Sequence, residues 1–390
     1  MKLLVQGFLE TRSLAELRES HGVKHRWSSQ RPGVLTLNYD QLEVCDTDPL
    51  SQECRGLILR KPGVAVDPAA PLGPTSIVAL PFPRFFNHGT GPCAAVDFAR
   101  ARYYEKLDGT LCIVHHDDGA WHVATRSVPD ADVPIDSLTE TFRNLYERAL
   151  RECGEEAGIA TTLGEGLDPA CTYLFELCAP ENQIVVRYEG RSVALLGIRD
   201  RETGEEYPPE ALADRYLICP SHDVTESAFD AWVHERDPMK HEGLVVCDHA
   251  FRRCKVKSAA YVALARTKDS VGRSDRRMLE LVLHGRDSEA RPLLAAHVLA
   301  KLDTIKAGLG AYLARVDADF VRLYDADRKT FALRIQAEGA WMAALMQRFS
   351  RKCADARGFV DGQRREGTWP DAFLDTLLAG MGVEQEESLP

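Results

Sequence analysis

The sequence predicts a two-domain protein in which an α+β domain built on antiparallel sheet is followed by an all-α domain. The chain has 390 residues, 45% hydrophobic and 27% charged, so it is a globular protein longer than the usual single domain. Before Ser258, short β-branched apolar runs alternate with Gly, Pro and Asp turns; after it, apolar residues recur with helical spacing. We therefore place the domains at residues 1–258 and 259–390.

Strands are predicted along most of the first domain. The segments are GLILRKPG, RYYEKLDGTLCIVHH, GAWHVATRS, TYLFELC, NQIVVRY, RSVALLGIRD, EGLVVCD and FRRCKVKS. Apolar faces with helical spacing predict helices at Leu138 to Glu152, Pro208 to Arg215 and Glu226 to Glu235. Together these elements indicate an α+β domain.

The second domain is predicted to be helical throughout. Its helical segments are AAYVALART, RPLLAAHVLAKLDTIKAGLGAYLARV, KTFALRIQAEGAWMAALMQRFSRK and PDAFLDTLLAGM. The polar, turn-rich stretch KDSVGRSDRR, which begins at Lys268, is a candidate linker or first loop.

The net charge of −11 argues against a protein that coats nucleic acid non-specifically. Residues 1–258 contain 28 Lys and Arg against 40 Asp and Glu, and the remainder contains 20 against 19. Phosphate binding must therefore come from local clusters of basic residues.

Neither cysteines nor apolar runs indicate a secreted or membrane protein. The 11 cysteines include no C-x-x-C pair and most lie in apolar runs, which argues against a disulfide framework or a zinc ribbon. His115, His116, His122, His234, His241 and His249 lack zinc spacing, so structural or surface roles are favoured for them. The N-terminal apolar run is too short for a signal peptide and no stretch is long enough to span a membrane. We expect a cytoplasmic protein with no membrane partner.

The stretch YYEKLDGTLCIVHH places the four-residue motif Lys-x-Asp-Gly between two apolar segments. Burying the ammonium group of Lys106 is costly unless it is paired or loses its proton. One interpretation is a hairpin with Asp-Gly at the bend and the lysine in solvent. The other is a site that uses the amine.

Further charged residues in strand contexts favour a site. Glu176 lies within YLFELC and Glu242 opens EGLVVCD, while Lys255 and Lys257 alternate on one face of RCKVKS. Arg55 in ECRGLIL has the same character. Any one of them alone is better explained as an exposed strand position.

Taken together, these residues predict a phosphate and metal pocket. Lys255 and Lys257 would lower the pKa of a nearby nucleophilic amine. The two carboxylates would hold Mg²⁺ or a ribose hydroxyl, because hard cations prefer oxygen ligands. The basic residues would neutralise the charge of a transferring phosphoryl group.

The ordered motifs ECRGLIL, FPRFFNHGTG, EKLDGT, YLFELCAPENQIVVRY, LLGIRDRETGEEY, EGLVV and KVKSAAY strongly resemble the covalent nucleotidyltransferase superfamily. Within it, the sequence most resembles the ATP-dependent RNA ligase 1-like family of phages. The resemblance covers roughly Gln52 to Tyr261. It implies an antiparallel-sheet nucleotidyltransferase (ATP-grasp-like ligase) domain, and a helical appendage is typical of this family rather than of members that carry an OB-fold.

The resemblance also implies residue roles. Lys106 would attack the α-phosphate of ATP and become lysyl-AMP, with Asp108 and Gly109 completing its loop. Glu176 would contact the ribose and Glu242 a metal ion. The implied phosphate or nucleotide contacts are Arg55, Lys255 and Lys257. Phe85, Phe86 and Arg126 are hypothetical base or RNA contacts, but core packing is the more common role of such a Phe-Phe pair, and the start of a loop explains Arg126 nearly as well. The strand VALLGIRD offers no aromatic residue to stack on the adenine, so the base would be contacted differently here.

The implied activity is ATP-dependent joining of 5′-phosphate and 3′-hydroxyl RNA ends through lysyl-AMP and RNA-adenylate, in RNA or tRNA repair. The implied cofactors are ATP and Mg²⁺, with Mn²⁺ as an alternative, and a separate kinase or phosphatase would prepare the ends. The helical domain would help to select the RNA. The alternatives are a DNA ligase or mRNA-capping guanylyltransferase, which use the same lysine chemistry, and a non-catalytic RNA-end-binding protein.

Overall fold

The structure, a computed structural model, describes residues 1–41, 43–63, 69–133, 140–272, 274–285, 287, 291, 294, 296–365 and 368–383. The chain divides into two compact units, Met1–Val262 and Ala263–Pro390. The first contains antiparallel sheets with helices and the second is helical, which confirms the predicted fold class. Among the described helices, none combines the length and the apolar character needed to cross a membrane.

The first sheet lies near the N-terminus and has the antiparallel order β1-β2-β3-β4. Its strands and helices are α1 (Leu4–Leu9), α2 (Leu14–His21), β1 (Val23–Trp27), β2 (Val34–Tyr39), α3 (Pro49–Glu53), β3 (Arg55–Arg60) and β4 (Ser76–Ala79). None of the three helices was predicted from the sequence, because each is short. Helix α2 depends on a capping box in which Ser13 and Glu16 exchange backbone-to-side-chain hydrogen bonds.

The second sheet has the order β11-β10-β9-β7-β8. Its strands are β7 (Thr110–Asp117), β8 (Ala120–Thr125), β9 (Cys171–Cys178), β10 (Ser192–Asp200) and β11 (Glu206–Tyr207). Helix α4 (Phe142–Ala157) buries Tyr146 and Leu150 in the same core as Phe175 of β9. The helix predicted from Leu138 therefore starts and ends later than expected, and residues 138 and 139 lie outside the described residues.

The third sheet has the order β12-β6-β13-β14-β5 and is antiparallel except between β14 and β5. Its strands are β5 (Phe86–Asn87), β6 (Ala101–Glu105), β12 (Ser221–His222), β13 (Gly243–Asp248) and β14 (Arg253–Lys257). Helix α5 (Phe229–His234) packs Phe229 and Val233 against Tyr103 and Leu244. This helix is shorter than the predicted one at Glu226 to Glu235.

Two other predictions for the first unit were wrong. The segment NQIVVRY forms no strand: its chain is irregular after a 3₁₀ turn at Pro180–Asn182, because the N–H groups of Val185 and Val186 bind a carboxylate rather than a neighbouring strand. The helix predicted at Pro208 to Arg215 is only a 3₁₀ turn at Pro209–Leu212.

In the second unit, the described residues form a helical core that includes Leu302, Ile305, Phe331 and Leu345. Helices α6 to α12 are Ala259–Gly272, Asp275–Leu283, Ala296–Leu323, Arg328–Arg334, Met342–Phe349, Ala356–Asp361 and Asp371–Gly380. The linker or first loop predicted from Lys268 is wrong for most of its length. Helix α6 continues to Gly272, and α7 begins at Asp275. In the described part of this unit the β contacts amount to one isolated bridge, Arg365 with Thr368.

Candidate nucleotide-binding site

Lys106 lies in a connection between two sheets. Strand β6 ends at Glu105 and pairs with β12 and β13, whereas β7 begins at Thr110 and pairs with β8 and β9. The loop 106–109 therefore passes from the third sheet to the second, and the hairpin interpretation is wrong. The backbone N–H of Lys106 donates to the carbonyl oxygen of Gly243, 2.9 Å away, which fixes the loop against β13.

The buried carboxylate of Asp108 anchors this loop. Its Oδ2 accepts hydrogen bonds from the backbone N–H groups of Val185 and Val186, each at 2.7 Å, and its Oδ1 accepts from the hydroxyl of Tyr261 at 2.5 Å. The N–H of Asp108 donates to the hydroxyl of Tyr188 at 3.1 Å. Asp108 thus joins the loop to the irregular segment before β10 and to helix α6.

Gly109 and Glu176 fix the other end of the loop. The N–H of Gly109 donates to Oε1 of Glu176 on β9 at 3.2 Å. A Cβ atom at Gly109 would lie 2.2 Å from the carbonyl oxygen of Leu177, so only glycine fits here.

Glu242 lies between two lysine ammonium groups. Its Oε2 is 2.8 Å from Nζ of Lys106 and its Oε1 is 2.8 Å from Nζ of Lys257. The Glu242 side chain is only 3% exposed, so neither contact is screened as a surface ion pair would be. Strand pairing explains the arrangement, because β13 starts directly after Glu242 and Gly243 is opposite Lys257.

The electrostatics differ from the sequence interpretation in which the neighbouring lysines lower the pKa of Lys106. Burial acts to lower the pKa of Lys106, but the carboxylates of Glu242 and Glu176 outweigh it and hold that pKa above its ordinary value. The amine whose pKa is lowered is that of Lys255. Burial, followed by the charges of Lys106 and Lys257, lowers its pKa to about 8. In this arrangement Lys106 is a protonated ammonium group.

Burial also raises the pKa of Glu176 to about 7, and the nearby Glu242 carboxylate adds to this effect, although Lys106 and Arg55 oppose it. The raised value shows that the fold holds this carboxyl group in a place where its charge is poorly solvated. The charges of the two glutamates therefore act on each other.

The Glu176 pKa predicts a pH dependence of stability. Because the folded-state pKa is raised, the native state keeps a proton that the unfolded chain has lost, so the free energy of unfolding falls as pH rises from about 5 to about 7 and then levels off. The Glu176→Gln variant lacks the titrating carboxyl group and therefore this pH dependence. Urea denaturation of both proteins from about pH 5 to about pH 8 should show the wild type losing about 2–3 kcal/mol relative to the variant. Parallel curves would contradict the assignment.

An open cleft beside the lysines is lined by aromatic and basic side chains. The lining residues are Tyr39, Gln41, Asp46, Arg84, Phe85, Phe86, Asn87, Thr90, Lys255, Lys257 and Val262. The guanidinium of Arg84 lies over the rings of Tyr39 and Phe86, at 4.5 and 4.8 Å from their centroids. Arg55 and Lys255 lie at 5.4 and 5.7 Å from the ring centroid of Phe85.

Two buried guanidinium groups, that of Arg84 in the cleft lining and that of Arg55 against Phe85, each have a donor without a partner among the described residues. Nη1 of Arg55 and Nη1 of Arg84 make no hydrogen bond within the described part of the chain. Because a buried guanidinium donor is expensive to leave unsatisfied, such atoms indicate a site for an anionic ligand.

A second, more enclosed pocket is lined by Phe85 and lies between the sheets. Its other lining residues are Arg55, Phe82, Tyr104, Glu105, Leu196, Pro208, Pro209, Cys219, Val245, Cys247, Phe251 and Arg253. Leu196 belongs to VALLGIRD, sits at a β-bulge of β10 and lines this pocket with an aliphatic side chain. The rings of Phe82, Phe85 and Phe251 come from elsewhere in the chain, so the pocket is nevertheless aromatic.

The structure brings most of the candidate residues together. Direct contacts or shared pockets join Lys106, Glu242, Lys257, Lys255, Arg55 and Phe85, and a hydrogen bond joins Gly109 to Glu176. Phe86 is mostly buried beneath Arg84. Arg126 does not line either cavity, but its guanidinium lies 5.6 Å from the ring centroid of Tyr39, a residue of the cleft lining.

Sequence reasoning missed several side chains of the site. Tyr39 and Arg84 line the cleft, and Tyr188 and Tyr261 hold the Asp108 region. Arg84 gave a usable signal, a cation between a proline and two phenylalanines. The three tyrosines gave none, because isolated tyrosines are common in cores.

Comparison with known proteins agrees with the motifs. A family model described as RNA ligase matches residues 53–261, which is more than half of the chain. The chain belongs to the RNA ligase family. This confirms the resemblance found in the sequence, and the matched segment of this RNA ligase family member contains every candidate residue.

Two relatives of this RNA ligase family member illustrate the match. A putative bifunctional polynucleotide kinase/RNA ligase of Autographa californica nuclear polyhedrosis virus is 28% identical over 265 residues, 65% of this chain and 36% of that protein. An RNA ligase of Rhodothermus phage RM378 is 26% identical over 216 residues, 46% of each chain. The chain thus spans less than half the length of these curated relatives.

Two solved structures of RNA ligases match the fold of this chain over different shares of its length. An archaeal ATP-dependent RNA ligase is 14% identical with a TM-score of 0.40 and covers 86% of this chain and 77% of its own. A Naegleria gruberi RNA ligase variant with ATP and Mn is 19% identical with a TM-score of 0.31, covering 42% and 51%.

Proposed function

We propose that this RNA ligase family member is an ATP-dependent RNA ligase that joins 5′-phosphate and 3′-hydroxyl RNA ends, with Lys106 as its nucleophile. The observation that carries the proposal is the contact of Glu242 with both Lys106 and Lys257 beside a cleft that holds unpartnered guanidinium donors. An amine and a buried carboxylate next to cations are what nucleotide transfer to a lysine requires.

In the first step Nζ of Lys106 attacks the α-phosphate of ATP. The N–P bond forms and the P–O bond to the leaving pyrophosphate breaks, after the proton of Nζ has been released. In the second step an oxygen of the RNA 5′-phosphate displaces the lysine amine from AMP. In the third, the 3′-hydroxyl attacks the 5′-phosphate of the RNA-adenylate, which releases AMP and forms the phosphodiester.

The residues of the cleft divide these tasks. We assign the phosphates to the cleft lined by Lys255, Lys257 and Arg84. Arg55, which contacts Phe85 of the same lining, adds a further buried donor. We assign the base to the enclosed pocket, with Phe85 rather than Phe86 in contact with it, since Phe85 lines both cavities. We assign the ribose to Glu176.

The residues present fit a divalent metal ion. Glu242 places a buried carboxylate beside the lysines, and carboxylate oxygens are the ligands that hard cations prefer. No set of three or more His, Cys, Asp and Glu in the described chain is arranged to hold a metal, and Mg²⁺ commonly uses one or two carboxylates together with substrate phosphates. When bound at Glu242, Mg²⁺ or Mn²⁺ would supply positive charge for the phosphate oxygens.

Glu242 also controls the state of Lys106. While it accepts from Lys106, it favours the ammonium form. If Glu242 bound another cation, it would no longer favour the ammonium form of Lys106, and burial would act against that charge, although Glu176 would still oppose this effect.

We extend the proposal to RNA repair, with tRNA as a candidate substrate and a separate end-healing kinase or phosphatase as a partner. A relative whose name combines polynucleotide kinase with RNA ligase supports this pairing. A role of residues 259–390 in selecting the RNA stays a prediction. In the described part of that unit several basic side chains pair with acids, among them Arg276 with Asp375 and Arg348 with Asp317.

The test is formation of a covalent nucleotide adduct by the purified chain. Incubation with Mg²⁺ and ATP, without nucleic acid, should add one AMP by intact-mass spectrometry, and peptide mapping should locate it on Lys106. GTP should add nothing; a GMP adduct would instead support capping chemistry. Single-stranded RNA with 5′-phosphate and 3′-hydroxyl ends should then be circularised. Absence of any adduct with either Mg²⁺ or Mn²⁺ would contradict the proposal and favour an RNA-end-binding protein.

A further inference from the structure

A second polar contact lies beside the Lys106–Glu242 ion pair, one residue earlier in each of the two chain segments. Glu105 precedes Lys106 and His241 precedes Glu242. Nδ1 of His241 donates to Oε1 of Glu105 at 3.0 Å. The two contacts therefore join the same two chain segments twice.

A further histidine completes the contacts of Glu105. Nε2 of His222, on β12, donates to Oε2 of Glu105 at 2.6 Å. Both carboxylate oxygens of Glu105 thus accept from imidazole N–H groups, and the residue is only 9% exposed. A carboxylate accepts but does not donate, so two imidazole donors suit it well.

Glu105 is held by its backbone as well. Its N–H donates to the carbonyl oxygen of Pro220 at 2.7 Å, and its own carbonyl oxygen accepts from the N–H of Leu107 at 3.1 Å. Trp232 of α5 packs against both imidazoles, with centroid distances of 4.5 Å to His222 and 6.0 Å to His241. Glu105 is therefore tied to the two chain segments that flank β6.

We propose that His241 and His222 are positioning residues that, through Glu105, hold Lys106 and Glu242 in register for nucleotide transfer. This inference rests on the proposed function. Neither histidine contacts the reacting atoms: the effect passes through Glu105 to Lys106, and from His241 directly to its neighbour Glu242. These contacts add to the hydrogen bond from the Lys106 N–H to the carbonyl oxygen of Gly243, which joins the same two chain segments.

The first test is single-turnover adduct formation at varied ATP concentration. His241→Ala should lower the maximal rate about 10- to 100-fold, because a displacement of about 1 Å in a reacting group can cost about 100-fold. The ATP concentration at half-maximal rate should change less than about 3-fold, since the histidines do not line the cleft. His241→Asn, whose amide can donate in place of Nδ1, should recover most of the rate. The matched control is His234→Ala, an exposed histidine of α5 that pairs with Asp230.

The second test does not depend on activity. Lys106 should react faster with an N-hydroxysuccinimide ester in His241→Ala than in wild type, by about 3-fold or more on peptide mass spectrometry, because its amine leaves Glu242 more often. His234→Ala should match the wild type. An unchanged rate and unchanged labelling in His241→Ala overturn the inference, and so does failure of His241→Asn to recover. If the wild type forms no adduct, the proposed function is wrong and the labelling result alone decides the inference.

Discussion

Replacement of Lys106 by Ala should abolish transfer of AMP to the protein. The variant removes the amine that lies 2.8 Å from Glu242, and the remaining cations of the cleft cannot form the N–P bond from the same position. We expect a fall of about 10⁴-fold or more in adduct formation, the order seen when the nucleophile of a covalent enzyme is removed. Intact-mass spectrometry with ATP and Mg²⁺ measures it. The control is Lys24→Ala, an exposed lysine of β1 that pairs with Asp40.

The same variant separates the chemical steps. If Lys106 serves only to carry AMP, RNA that already bears a 5′-adenylate bypasses it, and Lys106→Ala should still seal such RNA in the absence of ATP. Lys106→Arg should fail in adduct formation as well, because the guanidinium stays protonated. An adduct that persists in Lys106→Ala would show that another residue is the nucleophile. Loss of sealing with adenylated RNA would show that Lys106 has a second role.

The sequence was sufficient for the parts of the site that repeat as a strand pattern. Lys255 and Lys257 alternate on β14, and Glu176 interrupts the apolar strand β9. The alternation on β14 is a periodic signal and the single charge in β9 is a local one, so both are visible in the sequence alone. The family resemblance then ordered these residues around Lys106, and the family match agrees with it.

Features that depend on distant partners were not predictable. The segment NQIVVRY has strand composition, but the carboxylate of Asp108, 77 residues earlier than Val185, takes its N–H groups. Tertiary contact overrides β-propensity in such cases. The contact of Glu105 with His222 and His241 likewise joins residues that lie more than 100 positions apart.

The sequence also did not show whether the pKa of Lys106 is raised or lowered. The lysines of β14 suggested a lowered pKa, whereas the contact with Glu242 raises it. Which charge dominates depends on distances of a few ångströms in a poorly solvated place, and spacing along the chain does not supply them.

Replacement of Asp108 by Ala should be among the most destabilising changes in the first unit. The variant leaves the N–H groups of Val185 and Val186 and the hydroxyl of Tyr261 without their acceptor. Each buried donor left unpaired costs about 1–3 kcal/mol, so we expect the free energy of unfolding to fall by about 3–5 kcal/mol. Urea denaturation of the chain, followed by a probe of the first unit such as its tryptophans, measures it. Asp214→Ala, at an exposed position, should change stability by less than about 0.5 kcal/mol.

A double-mutant cycle with Tyr261→Phe shows whether Asp108 acts as the anchor of the loop. If the two residues stabilise the fold through their shared 2.5 Å hydrogen bond, Tyr261→Phe should cost much less in Asp108→Ala than in wild type, with a coupling of about 1–3 kcal/mol. Asp108→Asn, which keeps one acceptor oxygen, should be intermediate. Additive losses would mean that the bond contributes nothing of its own. A fall in AMP transfer without a fall in stability would mean that Asp108 acts on the nucleotide rather than on the loop.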